Sequence, residues 1–255
     1  MMRLFSVVLA LLFLQTFSHA VKEVSGIPIP ENFEELVDPE NTAVLVIDMQ
    51  NGWASTQGCC VLNCEDTKPD HSKHAPVDGY AEQVKAMQRL LEAAREAGVL
   101  VTYAEFIHEN EVGSSLMTGW FHYHNLKPNA IENTWDSKTI AELAPQKGDY
   151  IIRKSRGNAF YKTYLEDLYR ERSIRSVILT GTATGGCVAA STFGAFERGF
   201  YPIMVRDCLD QHESLFFQWM EESLPMHSSD EIIAAWEKGK AEKEKDPAPE
   251  EVGEK

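Results

Sequence analysis

Cys187 closes the run Thr180-Gly181-Thr182-Ala183-Thr184-Gly185-Gly186, which itself follows the apolar stretch Val177–Leu179. An apolar run without polar alternation is what a strand buried on both faces requires. From Cys187 onward, small residues and a Phe193/Phe196 pair at helical spacing predict a helix running to Gly199. A cysteine that opens a helix meets the positive end of its dipole and free backbone N–H groups, both of which favour thiolate. The same N–H groups can hold a developing oxyanion. The plain alternative is a small buried core thiol, the commoner fate of cysteine. The glycine- and threonine-rich turn before Cys187 shifts the balance towards a reactive sulfur.

A nucleophile needs a proton acceptor and a charge partner. Two other apolar runs end in suitable residues: Thr42–Ile47 is followed by Asp48, and Asp149–Ile152 by Arg153 and Lys154. Taken singly, Asp48 reads as a turn or capping residue and Lys154 as a solvated surface charge. In an open α/β sheet, however, ligands bind beyond the carboxyl ends of the strands. Asp48, Lys154 and Cys187 stand at three such ends and can converge there.

Three ordered blocks carry a resemblance: Val44–Trp53 (VLVIDMQNGW), Gly148–Tyr169 (GDYIIRKSRGNAFYKTYLEDLY) and Val177–Asp210, which contains Cys187. Over about residues 41–236 the chain resembles the isochorismatase-like cysteine hydrolase family. The resemblance implies an Asp48–Lys154–Cys187 triad, a cis peptide between Thr182 and Ala183, and an oxyanion hole from the Ala183 and Cys187 amides. The activity expected is hydrolysis of a small amide or carbamoyl C–N bond through a Cys187 thioester, with Lys154 keeping Asp48 ionised and favouring the thiolate. The family also places a pocket aromatic at Phe160. Trp53 and Thr184, within the matching blocks, and Trp120, on an aromatic-rich connection from Gly113 to Pro145, complete the candidate substrate-binding set. That connection fits a pocket wall or a subunit interface equally well. Homo-oligomers are usual in the family, so one is expected here.

Two rival readings stand beside this one. Isochorismatase-type hydrolysis of a vinyl ether proceeds by protonating the enol carbon and has no need of the thiol; Cys187 therefore favours C–N chemistry. A catalytically silent binding protein on the same fold is the other, and the intact Asp48, Lys154 and Cys187 argue against it. No cofactor is called for. In the nicotinamidase branch, Asp and His metal ligands close the strand corresponding to Leu100–Ile107; here the residues are Glu105, Phe106, Ile107 and His108, so no metal is expected. His71 and His74 lie near Cys59, Cys60 and Cys64 but without standard zinc-ligand spacing, and His122 and His124 in the aromatic connection read as part of a lid or pocket wall rather than as ligands.

Met1–Ala20 has the form of a signal peptide: Arg3, an apolar segment Leu4–Phe17, and Ser18-His19-Ala20 as a small-x-small cleavage site. Cleavage after Ala20 would yield a secreted chain with no remaining membrane segment. In such a compartment Cys59 or Cys60 is expected to pair with Cys64, and Cys208 reads as a core thiol. The charge of −15 over 255 residues speaks against nucleic acid and anionic membranes as partners. A small-molecule substrate remains. Residues 21–40, rich in proline, predict an extended lead-in, 41–237 one hydrolase domain, and 238–255 a helix end fraying into a disordered charged tail.

Helices are predicted over Val77–Gly98, Ser137–Leu143, from Tyr164 to Tyr169, over Leu215–Leu224 and over Asp230–Lys238, the last capped by Ser228 or Ser229 with Glu231 behind. Strands are predicted at Leu100–Ile107 and Tyr201–Val205 as well. Strands alternating with helices give an α/β fold: a doubly wound, Rossmann-like parallel sheet of five or six strands, helices on both faces, in a single domain.

Overall fold

The apolar runs become strands at the centre of one parallel sheet. In the computed structural model, which describes residues 23–24, 26–58, 75–78, 80–109, 130–210, 215–224 and 226–245, β1 (Thr42–Ile47) and β4 (Ser176–Gly181) are neighbours, buried along their whole length. β2 (Leu100–Phe106) and β3 (Tyr150–Lys154) extend the sheet on one side. β5 (Tyr201–Leu209) and the short β6 (Met226–His227) extend it on the other. The order is β3-β2-β1-β4-β5-β6, all parallel, so the chain starts in the middle and reverses direction between β1 and β4. A crevice opens at the carboxyl ends of the two strands flanking such a reversal.

Helices cover both faces. Ala43, Leu45 and Ile47 of β1, with Val177 and Leu179 of β4, pack on one face against α2 (Leu165–Glu171), α3 (Ala189–Phe196) and α4 (Leu215–Ser223). The alternate residues, Val44, Val46 and Ile178, are equally buried and point the other way. On that second face, α1 (Ala81–Ala97) packs against β5 and against α5 (Ser229–Lys245). Trp236 of α5 donates its indole N–H to the Val37 carbonyl (2.7 Å). The unit bearing the sheet begins at Val37. Among the described residues no helix is long and apolar enough to cross a membrane.

Several expectations are corrected. α1 starts at Ala81 rather than Val77, because the Val77 N–H is held by the Ala54 carbonyl (3.0 Å) and its own carbonyl closes a turn with Tyr80 (2.8 Å). Of the helix expected over Ser137–Leu143, only a 3₁₀ turn at Ala141–Leu143 forms. The Ser137 and Thr139 hydroxyls bond instead to the Thr134 carbonyl and the Glu105 carboxylate, and such side-chain bonds compete with helix. α5 runs to Lys245, into the stretch expected to be disordered. Its alanine, glutamate and lysine residues propagate a helix already nucleated on the core. Ser228 is its cap: the Ser228 hydroxyl accepts from Glu231 N and the Glu231 carboxylate from Ser228 N, a capping box.

Residues 23–36 form a separate small unit rather than a wholly extended lead-in. Glu23–Val24 pairs antiparallel with Ile27–Pro28, and Asn32 accepts from Glu35 N (2.8 Å) to start a single helical turn, Phe33–Leu36. The predicted signal segment 1–20, Trp120, the histidines 71, 74, 122 and 124, and Cys59, Cys60 and Cys64 lie outside the described residues.

Gly181 closes β4 with φ +112°, and a Cβ there would sit 2.1 Å from the Ile47 carbonyl oxygen of β1. Gly98, the left-handed C-cap of α1 (φ 78°), has open space around it. Gly98→Ala should therefore cost only about 1–2 kcal/mol for its left-handed backbone, read as a small shift of the urea midpoint. Gly181→Ala should cost clearly more, because two backbones must separate.

Candidate active site

The register brings three strand ends together. Ile47 pairs with Gly181 and Phe106 with Lys154, so the residues following β1 and β4 and the last residue of β3 share one edge of the sheet. Asp48 leaves β1 in the left-handed region (φ 52°), a conformation aspartate tolerates better than most residues. Its N–H donates to Ala104 O (2.9 Å), and its carbonyl accepts from Gln50 N (2.7 Å) and from the Trp53 indole. With its backbone held at three points, the side chain turns across the end of β2. There the Lys154 ammonium donates to Asp48 Oδ2 at 2.8 Å, both side chains almost fully buried at 0% and 5% exposure. Lys154 also donates to the Arg156 carbonyl (3.2 Å) and lies 4.9 Å from the centre of the Phe106 ring. Gln50 braces the arrangement: it accepts from Phe106 N (2.7 Å) and donates to the Phe106 and Ser137 carbonyls.

Cys187 stands beside this pair, and its thiol feels both the Asp48 and the Lys154 charges. Asp48 Oδ1 is buried and lacks a well-formed hydrogen bond, so it is the oxygen left to receive a proton. Cys187 is not the first residue of an α-helix, as the spacing predicts, but the fourth of a π-type turn, Thr184–Val188, after which α3 begins at Ala189. Such turns recur at functional sites. Ala183 O accepts from Gly186 N (2.9 Å) and Val188 N (3.3 Å), curling the chain so that the Ala183 and Cys187 amides belong to one turn. The Thr182–Ala183 peptide is cis, as the resemblance implies. Ser191 of α3 accepts from Ala159 N (3.0 Å) and so ties the nucleophile helix to the segment after Lys154. In that segment Gly157 backs onto the sulfur: a methyl there would lie 3.9 Å from Cys187 Sγ.

The electrostatics differ from the thiolate expected at a helix start. Burial, then the Asp48 charge, push the Cys187 thiol up to about 12, with Lys154 pulling against them. Burial likewise raises Asp48 above the usual carboxylate range, outweighing the lowering by Lys154. At rest the sulfur is therefore neutral, beside a carboxylate that is a stronger base than an ordinary aspartate. Asp48 Oδ1 is the acceptor placed to take the thiol proton as the sulfur attacks.

Two of the expected pocket residues are buried. Phe160 is a core residue, stacked on Phe200 (5.7 Å) and edge-on to Tyr169 (6.0 Å). Thr184 is fully buried and directs its hydroxyl to Asp210, at 2.7 Å from Oδ1. Trp53 is half-buried beside the site, but its N–H holds the Asp48 backbone. His108 is buried edge-on to Phe106 (5.0 Å). Among the described residues no cluster of His, Cys, Asp and Glu could hold a metal ion. Cys208 is the buried core thiol expected. Sequence reasoning missed Gln50, Gly157 and Asp210; Asp210 just after β5 repeats the signal that singled out Asp48, a carboxylate at the carboxyl end of a strand.

Known proteins resemble this chain in sequence and in fold. The family model of the isochorismatase domain matches residues 42–218. The ureidoacrylate amidohydrolase RutB of Caulobacter vibrioides is 30% identical over 195 residues, spanning 71% of this chain and 82% of that protein. Among solved structures, a cysteine hydrolase from Pseudomonas syringae superposes with a TM-score of 0.64 at 23% identity, covering 80% of this chain and 95% of that one. An N-carbamoylsarcosine amidase from Thermoplasma acidophilum gives 0.58 at 21% identity, covering 74% and 97%. At these identities the structural likeness speaks for the fold alone.

Removing one member of a buried ion pair strands the other, so Lys154→Met should destabilise the fold by about 3–5 kcal/mol in chemical denaturation. The raised Cys187 thiol has a definite sign. The folded state favours its neutral form, a contribution intact below the ordinary value of 9.0 and lost as pH rises towards about 12. Cys187→Ala should therefore flatten the alkaline fall in melting temperature; an unchanged slope would mean the thiol is not raised.

Proposed function

The chain belongs to the isochorismatase family of hydrolases, and from that premise we propose that it cleaves a C–N bond of a small amide or carbamoyl compound through a covalent intermediate on Cys187. The observation that carries this reading is the buried Lys154–Asp48 pair set beside the Cys187 thiol. As the sulfur attacks the substrate carbonyl, Asp48 takes its proton, and the developing oxyanion is held by the Ala183 and Cys187 amides. Losing one such donor typically costs about 100-fold or more in kcat. Collapse of the adduct expels nitrogen, which receives the proton from Asp48. Water then enters, gives a proton back to Asp48 and adds to the thioester (or thiocarbamate). Collapse releases the acid product, and Asp48 returns the proton to the sulfur.

Lys154 does two things in this scheme. Its charge opposes neutralisation of Asp48, which burial alone would favour, and it stabilises the anionic sulfur as the proton leaves. Ureidoacrylate and N-carbamoylsarcosine, the compounds named for two of the similar proteins, both carry a carbamoyl nitrogen, which supports carbamoyl compounds as the first class to try. We further propose that residues 1–20 direct export and are removed after Ala20, and that the enzyme works as a homo-oligomer.

A hydrolysis screen of simple amides, N-carbamoyl amino acids, ureido acids and isochorismate tests the chemistry. The wild type should release amine, ammonia or carbamate products from at least one C–N substrate, and Cys187→Ala and Asp48→Asn should each lose about 10³-fold or more in kcat. Isochorismate cleavage that survives Cys187→Ala would point to the vinyl-ether reaction instead. N-terminal sequencing of the protein recovered from culture medium should begin at Val21.

A further inference from the structure

Asp210, the residue after β5, touches no member of the buried pair, yet both of its carboxylate oxygens are fully engaged. Oδ1 accepts from Thr184 N (2.7 Å) and from the Thr184 hydroxyl (2.7 Å). Oδ2 accepts from the Thr182 hydroxyl (2.6 Å) and from the Tyr80 hydroxyl (3.2 Å), which also contacts Thr182 Oγ1 at 2.9 Å. The single proton of the Thr184 hydroxyl is shared between Oδ1 and the Asp210 carbonyl, which lies 2.8 Å from Thr184 Oγ1. These bonds fall on the residues immediately before and after Ala183 and on no others in the turn. Next to them, Gln83 of α1 donates to the Gly181 and Cys208 carbonyls (3.0 and 3.1 Å), fixing the end of β4 against β5.

A buried carboxylate is costly unless its lone pairs are satisfied. Here that requirement specifies a geometry, because all the donors but the Tyr80 hydroxyl come from the two residues flanking Ala183. We infer that Asp210 is a positioning residue for catalysis: by gripping Thr182 and Thr184 it fixes the direction of the Ala183 N–H, and hence the oxyanion site. This rests on the C–N hydrolase reading and deepens it. The role differs from that of Asp48 and Lys154: those two govern the thiol, whereas Asp210 governs where the substrate oxygen is received. The mechanism gives Asp210 no proton to move.

The variants are separable in chemistry. In Asp210→Asn, Oδ1 can still accept from the Thr184 amide and hydroxyl, and the new NH₂ can donate to Thr182 and Tyr80 once those hydroxyls rotate. Asp210→Ala removes every side-chain bond. Thr182→Val removes one donor at nearly constant shape and serves where Asp210→Ala does not fold. The experiment compares these with the wild type in three readouts: kcat and KM on the N-carbamoyl compound best cleaved in the screen, the rate and pH dependence of Cys187 alkylation by iodoacetamide, and a crystal structure.

Misplacing one oxyanion donor should lower kcat of Asp210→Ala by about 30-fold or more with KM changed less than about threefold. Thr182→Val should lose several-fold, and Asp210→Asn should recover most of the activity. Alkylation should keep its wild-type rate and pH profile in all three, and the turn at Ala183 should move in Asp210→Ala while the Lys154–Asp48 contact stays. A kcat unchanged in Asp210→Ala, or alkylation falling in step with kcat, would overturn the inference, the second by making Asp210 a general prop for the fold. Should the wild type cleave no C–N substrate, the hydrolase reading fails by itself, and the crystal structure decides: an unmoved Ala183 turn in Asp210→Ala, or in Thr182→Val, overturns the positioning role.

Discussion

A carboxylate and an ammonium held 2.8 Å apart out of reach of water are the constraint on which this molecule depends. Each charge would be intolerable there without the other, and attraction between them repays desolvation only when geometry is good. The protein spends much of its local structure on that geometry. Asp48 is turned left-handed and bonded through backbone on three sides, and Gln50 locks the end of β2, over which Lys154 passes. The pair is thus less a source of stability than a chemical device that the surrounding packing keeps in place. It makes a buried carboxylate into a base and leaves a neutral sulfur next to it.

The topology explains why this is the place. Starting in the middle of the sheet and reversing between β1 and β4 leaves their carboxyl ends unobstructed by a crossover. β1 delivers the acid, β4 the turn that carries the sulfur, and β3, two strands from β1, a lysine long enough to reach across Phe106. β5 sends Asp210 to the far side of the same turn. Four strand ends therefore meet around one small volume, with the base and its partner on one side and the oxyanion turn on the other. Separate control of sulfur and oxyanion follows from that division.

Much of this was legible in the residues because buried parallel strands must be apolar throughout. The runs at Thr42–Ile47 and Val177–Leu179 could hardly be anything else, and polar residues at their ends stand out against them. α1 was equally plain, from its apolar spacing and its terminal Gly98. What escaped notice were polar residues whose work is done by hydrogen bonds to backbone. Gln50 and Asp210 look like ordinary turn residues until the strands are assembled around them. Resemblance carries Phe160 to a pocket wall, whereas its ring is buried, stacked on Phe200 and edge-on to Tyr169. A helix dipole is a local feature visible in spacing, whereas desolvation by the assembled core, which raises the Cys187 thiol, is not.

The most direct measurement of the whole account is the ultraviolet thiolate absorbance of Cys187 as a function of pH, taken as the difference between the wild type and Cys187→Ser and repeated in the Asp48→Asn background. The thiol should stay neutral well past pH 9 in the wild type and ionise at lower pH once the Asp48 charge is removed. A thiolate already formed at neutral pH, or a titration indifferent to Asp48, would contradict the account at its centre.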